Sequence, residues 1–415
     1  MRWMILLLLF FASLITYADK VVIGFAADPL MKEFDLSASQ WGIVGSSFFI
    51  LYIVTSLIGG PWSDRFGTTI MIFIVLIGVS ITQLGSFAIM GLPMLILYRL
   101  LLGAAEGPIV PAGLSHISKI FPAESRGLAV SVFIAGASIG GIISAPILVS
   151  LIETYGWRWT FVLLGIGSLV LFLVWLLIDR TDKGRKNVVK PLTQKMKWTD
   201  IAPILRNPAC FLTIALSAST YWLVTWQALW APVYLTKVIN LEPMKMAYTI
   251  MGTGIVSILL VFTISTISDR LYKKTQSYRK ARVWIAGIST IAGGLALAAI
   301  PLVGNSIVGI FIALCVAKGA TYTNVSMAVQ IMIKLMPERA GFMSSILSLG
   351  NNIAQLAAPV VTGILVQMGG ANLVLGFNYS IYIMVAFFLI IAAFFLVFVK
   401  PDHANEAMTA EPATV

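Results

Sequence analysis

Twelve apolar runs, each long enough to cross a bilayer as a helix, leave this chain little choice of fold. They cover 3–26, 40–61, 69–90, 92–116, 127–151, 157–179, 208–236, 244–267, 282–300, 304–333, 341–367 and 374–399 of 415 residues. A helix rises 1.5 Å per residue, so about 20 apolar residues span the hydrocarbon layer. Inside that layer every backbone polar group must be satisfied within its own segment, which leaves helices or a closed barrel. The runs are continuous rather than alternating, so the expected fold is all-α, an integral membrane bundle of twelve transmembrane helices. Only 11% of residues are charged and 59% are hydrophobic, against about 25% charged in a soluble domain.

The first run has a basic start, "MRWMILLLLFFASLITYADK", and so invites comparison with a signal peptide. No small-x-small cleavage site follows its core, and the apolar character resumes with "VVIGFAA", so it reads as the first span. Loop charge sets the orientation. The stretch 180–207 carries Arg180, Lys183, Arg185, Lys186, Lys190, Lys195, Lys197 and Arg206 against Asp182 and Asp200. A second basic loop follows the eighth run, and with twelve spans it lies on the same side. The loops 91–93, 301–305 and 368–373 hold no charge. The positive-inside rule then places both termini and the basic loops in the cytoplasm. It also accounts for the net charge of +11 without any nucleic-acid partner.

Two short matches, each about half a chain apart, suggest an internal repeat. "SDR" at 63–65 recurs at 268–270, and "FPAESRG" from Phe121 has a counterpart in "MPERAG" from Met336. The matches follow equivalent runs in each half. The expected organisation is therefore two pseudo-symmetric six-helix halves, 1–180 and 208–400, joined by a basic cytoplasmic linker 181–207 and ending in a cytoplasmic tail 401–415. Parallel repeats of this kind are a transporter architecture, with the substrate site near the midplane.

Five ionisable residues fall inside the runs: Asp19, Lys20, Arg99, Glu106 and Lys318. Each costs roughly 2.5–3.5 kcal/mol at a helix centre, less where the side chain reaches the interface. Such groups are either a ligand and ion path or a set of pairs tying helices together. Arg99 and Glu106 are seven residues apart, which is two turns and nearly one helical face. They face one cavity at different depths and stand too far apart for an easy salt bridge. With Lys20 and Lys318, the cavity carries +1 when Asp19 and Glu106 are ionised and +3 when they are protonated. It favours an anion, and favours it more once protons are bound. Carboxyl groups removed from water favour the neutral form, which suits them to carrying protons. The planar fork of Arg99 matches a carboxylate bidentately. Tyr17, Tyr52, Trp230 and Asn352 also lie in the runs, where they either contact a ligand or serve as interface anchors and helix ties.

These motifs resemble the major facilitator superfamily, and within it the anion:cation symporter family of sugar-acid transporters and sialin. The likeness runs nearly end to end. "YADK" at 17–20 resembles the family's helix-one motif, which has arginine where Lys20 stands. "LYIVTSLIGGPWSDRFG" at 51–67 resembles helix two and the superfamily's following loop. "YRLLLGAAEGPIVPAG" at 98–113 resembles the helix-four signature and is the most specific element. "LWAPVYL" at 229–235, "AKG" at 317–319 and "NIAQLAAPVVTGIL" at 352–365 resemble helices seven, ten and eleven. The resemblance implies that Asp19 and Glu106 are the proton-coupling acids and Arg99 the carboxylate-binding arginine. It implies that Tyr17, Lys20, Tyr52, Trp230 and Asn352 line the substrate cavity, and that Asp64 and Arg65 belong to a conformational gate. Lys20 lacks the bidentate fork, and Thr68 and Thr69 stand where the superfamily loop usually carries basic residues.

The function expected is import of an organic anion coupled to protons, by alternating access, in a bacterial cytoplasmic membrane. A hexonate, hexuronate or aldarate is the first expectation, and aromatic carboxylates or small dicarboxylates the alternative. A drug or cation antiporter on the same fold would need a net negative cavity and a Gly-Pro in helix five; "GASIGGIISAP" at 136–146 lacks the Gly-Pro. A non-transporting sensor would need an added domain. No nucleophile, phosphate loop or metal cluster points to an enzyme. No cofactor or metal is expected, the two cysteines imply no disulfide framework, and the carrier is expected to act as a monomer.

Overall fold

The computed structural model describes residues 2–178 and 207–401, so the basic linker and the tail lie outside the described residues, apart from Asn207 and Pro401. Every regular element among the described residues is helical. The helices are α1 (Arg2–Phe25), the short α2 (Ala27–Glu33), α3 (Ala38–Phe66), α4 (Thr68–Leu84), α5 (Leu92–Glu106), α6 (Ile109–Ile120), α7 (Ala123–Ile178), α8 (Pro208–Leu229), α9 (Pro243–Thr275), α10 (Trp284–Ala299), α11 (Ile307–Leu335), α12 (Ala340–Met368) and α13 (Leu373–Phe398). Among the described residues, eleven continuous helical stretches are long and apolar enough to span a membrane. The twelfth span is hidden in α7, whose 56 residues are broken at Gly156, with φ 81° and ψ 164°. A side chain is rarely tolerated at such a φ, so the glycine ends one span and starts the next.

Local chemistry sets the other boundaries. Ser37 and Gln40 form a reciprocal capping box at the start of α3. It satisfies two backbone donors that the helix itself cannot pair. The Asn372 carboxamide oxygen accepts from Leu375 N at 3.1 Å to open α13. The seventh span is interrupted after Leu229. A three-residue helix, Ala231–Val233, and a π-helical turn, Tyr234–Val238, carry it on. Pro232 has no N–H with which to reach the Ala228 carbonyl one turn back. That freed carbonyl packs directly on Gly24 of α1.

The described residues fall into two compact units. The first holds 2–178 with 227–251 and 359–367; the second holds 207–226, 252–358 and 368–401. In the first unit, glycines set the spacing between helices. A methyl group on Gly103 would overlap the Phe48 carbonyl, and one on Gly107 would lie 2.6 Å from the Tyr52 carbonyl oxygen and 2.8 Å from Ser56 N. Gly136 and Gly140 are pressed in the same way against the Phe10 and Leu14 carbonyls of α1. Small residues four apart let helix backbones meet closely in a membrane. Gly107→Val therefore forces α3 off α5, at a cost of about 3 kcal/mol or more. We expect loss of monodisperse protein on size-exclusion chromatography in detergent. Gly60→Ala, where a methyl group meets nothing within 4 Å, leaves the profile unchanged.

Two acidic residues of α2 tie down one end of this unit. Asp28 pairs with Lys237 and, at 3.1 Å, with Lys32. Glu33 pairs with Arg158 at 2.6 Å and accepts from Trp157 Nε1 at 2.8 Å. The Arg158 guanidinium holds the Glu33 carboxyl below its usual range, with the Trp157 indole adding to it. A carboxyl lowered in the folded state stabilises the fold above its ordinary pKa, and loses that contribution as pH falls through the lowered value. The Glu33 side chain is 39% exposed, so solvent screening reduces the contribution to about 0.5 kcal/mol. In thermal unfolding, Glu33→Gln should melt slightly below the parent near pH 7, and the gap should close below about pH 4.

The second unit has its own apolar core, built from Leu212, Leu216, Val283, Met327, Ile331, Met332, Leu347 and Phe395. A buried polar knot lies within it: Asn324 donates to Thr290 at 2.8 Å, and the Thr220 hydroxyl donates to the Thr321 carbonyl at 2.9 Å.

Candidate functional site

The helix-four run ends its first segment at Glu106, because Gly107 and Pro108 interrupt regular helix before α6 resumes at Ile109. Glu106 thus sits on the last turn of α5, and Arg99 two turns earlier on the same helix. The close approach at Gly103 and Gly107 brings α3 alongside and sets the Phe48 ring against Arg99. Asp19 and Lys20 arrive from α1. The first unit therefore gathers five of the sequence-predicted residues: Asp19, Lys20, Tyr52, Arg99 and Glu106. Asp19 and Glu106 are 0% exposed and Arg99 is 2% exposed, and Lys20 is half-buried.

The cations do not rest on the acids. The Arg99 guanidinium carbon lies 4.7 Å from the centroid of the Phe48 ring. Lys20 Nζ lies 4.2 Å from the Tyr52 centroid and 5.8 Å from that of Phe48. The two rings stack on each other, 5.4 Å apart and 26° from parallel. A cation on a desolvated ring face gains about 2 kcal/mol, less than a well-made contact with a carboxylate. Both oxygens of Glu106, Oδ2 of Asp19, and Nε and Nη1 of Arg99 are buried with no hydrogen-bond partner. Buried polar atoms are nearly always paired, so this cluster is held ready for groups that can pair with it. Asp19, Lys20, Arg99 and Glu106 lie within electrostatic range of one another. A negative group entering among them meets two cations with pairing capacity to spare, and a proton finds two carboxyl groups.

Sequence reasoning missed three members of this cluster, Phe48 under Arg99, Gln83 and Tyr98. Gln83 of α4 donates from Nε2 to Asp19 Oδ1 and accepts the Tyr98 hydroxyl at 2.5 Å. Tyr98 in turn stacks on Phe161, 5.6 Å away and 7° from parallel. A signal existed for Gln83, a carboxamide in an otherwise apolar helix, "TTIMIFIVLIGVSITQL".

The remaining predicted residues lie elsewhere. Tyr17 is half-buried on α1, and its ring occupies the space opposite Gly141. Trp230 is buried at the break in the seventh span, and its indole donates to the Pro359 carbonyl at 3.2 Å. Lys318 and Asn352 belong to the second unit. Lys318 is half-buried near the middle of α11, where Gly319 packs against Leu260 and Ser257 of α9. Asn352 Oδ1 accepts from Gln355 at 3.1 Å. Asp64 and Arg65 are exposed on the last turn of α3, just before the turn made by Gly67 at φ 100°. Thr68 follows, where a basic residue was the usual pattern. It is fully buried and bonds His116 Nδ1 at 2.9 Å, a position in which a lysine or arginine would be desolvated.

The candidate spans among the described residues, with a cluster of opposed charges buried between them, define a polytopic membrane protein. Residues 9–341 match the Major Facilitator Superfamily, and the chain belongs to that family. The match covers most of both halves and makes this a multi-pass protein of the plasma membrane, not an enzyme. It is 25% identical over 387 residues to the D-galactonate transporter of Escherichia coli O6:H1, covering 87% of this chain and 84% of that one. It is 26% identical over 276 residues to the hexuronate transporter of Bacillus subtilis, a match spanning 65% of each chain, just under two thirds of that relative. The probable galactarate/D-glucarate transporter of Bacillus subtilis is 24% identical over 408 residues, covering 89% and 87%. Among solved structures, a bacterial homologue of the human lysosomal transporter Spinster superposes with a TM-score of 0.82 at 18% identity over 99% of both chains. A D-xylose–proton symporter gives 0.77 at 17% identity, over 97% of this chain and 99% of that one.

Proposed function

We propose that this protein is a proton-coupled symporter that imports a sugar acid, a hexuronate, hexonate or aldarate, across the cytoplasmic membrane by alternating access. The observation that carries the reading is the pair of cations, Arg99 and Lys20, parked on ring faces while buried carboxyl oxygens beside them have no partner. The identity of the relatives supports the substrate class, since hexuronate, galactonate and glucarate share a carboxylate on a polyhydroxylated chain. Arg99 takes the carboxylate. Lys20, Lys318, Tyr17, Tyr52, Trp230 and Asn352 are assigned to the rest of the ligand. Asp19 and Glu106 carry protons. With them neutral, the cations are released from the acids' field and the anion binds more tightly, so proton and substrate enter together. Asp64 and Arg65 are assigned to the gate. The halves 1–180 and 208–400 move against each other, the basic linker and both termini face the cytoplasm, and one chain suffices for transport.

The test is a thermal-shift screen of organic acids on purified protein, followed by uptake into proteoliposomes under an imposed pH gradient. A melting shift with a hexuronate, hexonate or aldarate, and accumulation abolished by a protonophore, are the expected results. Accumulation that ignores the pH gradient removes the proton from the mechanism. A shift confined to aromatic or short dicarboxylic acids moves the substrate class.

A further inference from the structure

The mechanism so far leaves Asp19 with two chemically equivalent oxygens. The structure makes them different. An ionised carboxylate offers only lone pairs, so a carboxamide facing it must present its N–H end. Gln83 does so, with Nε2 on Oδ1 of Asp19. That leaves the Gln83 oxygen to accept, and the Tyr98 hydroxyl donates to it. Tyr98 is held by its stack on Phe161, and Phe161 packs edge-on to Trp157. Gln83 is held from the other side: its Cβ fills the space left by Gly165, where an added methyl group would stand 2.8 Å away. Gln83, Tyr98, Asp19 and Phe161 are all buried. The second oxygen of Asp19, Oδ2, has no partner.

We propose that Gln83 is a positioning residue for proton coupling: held by Tyr98, it keeps Oδ1 of Asp19 as a fixed acceptor and leaves Oδ2 as the atom that takes and gives up the proton. The inference rests on the reading of Asp19 as a proton carrier. Three helices contribute to the chain of hydrogen bonds, α5 through Tyr98, α4 through Gln83 and α1 through Asp19. The charged and titratable groups that act on Asp19 are Lys20 on its own helix and Tyr98, Arg99 and Glu106 on α5. Where α7 packs on α1 it presents the glycines Gly136, Gly140 and Gly141 to Phe10, Leu14 and Tyr17. Gln83 is the neutral group that contacts the carboxylate directly. A donor to the ionised form favours that form. Removing it makes the proton easier to bind and harder to release.

Infrared titration of the purified protein in lipid reads this without a substrate. The protonated carboxyl gives a C=O stretch, and the Asp19 band is the one lost in Asp19→Asn. If no titrating band is lost in that variant, Asp19 is not a proton carrier and the parent reading fails. With the band assigned, Gln83→Leu should move its half-titration to higher pH by about one unit and shift its frequency, because Oδ1 loses its donor. Tyr98→Phe keeps the stack on Phe161, frees the carboxamide to turn, and should give a smaller shift in the same direction. It decides the matter if Gln83→Leu does not fold. An Asp19 band with unchanged midpoint and frequency in these variants overturns the proposal, since a merely structural role for Gln83 would lower stability and leave the titration in place.

Discussion

Glu106→Gln should abolish accumulation driven by a pH gradient and leave exchange of internal for external substrate running, the largest functional effect that the proposed mechanism assigns to a single isosteric change. The carboxamide imitates the protonated acid, so the site stays one charge more positive at every pH. The anion still binds, and at high pH it binds more tightly than to the parent, because Glu106 no longer opposes it beside Arg99 and Lys20. Net uptake requires the proton to leave on the inside, and a carboxamide has none to give. Exchange requires no such step. Both carboxyl oxygens lack partners in the fold, so the substitution breaks no hydrogen bond and the protein should melt normally. Accumulation and counterflow measured on the same proteoliposomes separate the cases. Loss of both would make Glu106 a ligand or a structural partner, and retention of both would pass the coupling role to Asp19.

Arg99→Lys should cost about 3 kcal/mol of substrate binding, roughly a hundredfold in Kd. The charge survives but the fork does not, and two parallel charge-assisted hydrogen bonds become one. The ammonium group also sits at a different height from the Phe48 ring. Isothermal titration with the acid found in the thermal-shift screen measures the loss, and an unchanged melting temperature shows that the fold is intact. Binding at the parent's strength would mean that Arg99 is a tie between helices and that the carboxylate docks elsewhere.

Much of the fold was legible because membrane physics is blunt. Hydropathy ended the fifth run at 151 and opened the sixth at 157, on either side of the break that Gly156 makes in α7. It carried the seventh run through to 236, as the helical turns to Val238 do, but could not see the interruption after Leu229, since apolar character does not register the missing N–H of Pro232. For the site, the cost of burying charge singled out Asp19, Lys20, Arg99, Glu106 and Lys318; helical geometry placed Arg99 and Glu106 on one face, and Lys318 belongs to the second unit. Charge cannot find what is neutral. Gln83 costs less to bury and so escaped notice, and Phe48 looked like any other apolar residue until its ring was seen under Arg99. The close contacts of Gly103 and Gly107 with α3 came from the structure alone. The missing basic residues after Gly67 were a puzzle in the sequence; the buried bond from Thr68 to His116 gives the reason.

The stacked rings of Phe48 and Tyr52 bear on turnover as well as on recognition. A carrier is slow if its binding groups are locked in strong internal partnerships, because each cycle must first break them. Held on aromatic faces, Arg99 and Lys20 are restrained at low cost: a ligand carboxylate can claim them on arrival, and the rings can take them back on departure. Residence time is then governed by how deep this resting place is. On the proposed reading, the same two side chains that place the cations would also set how long the cargo stays.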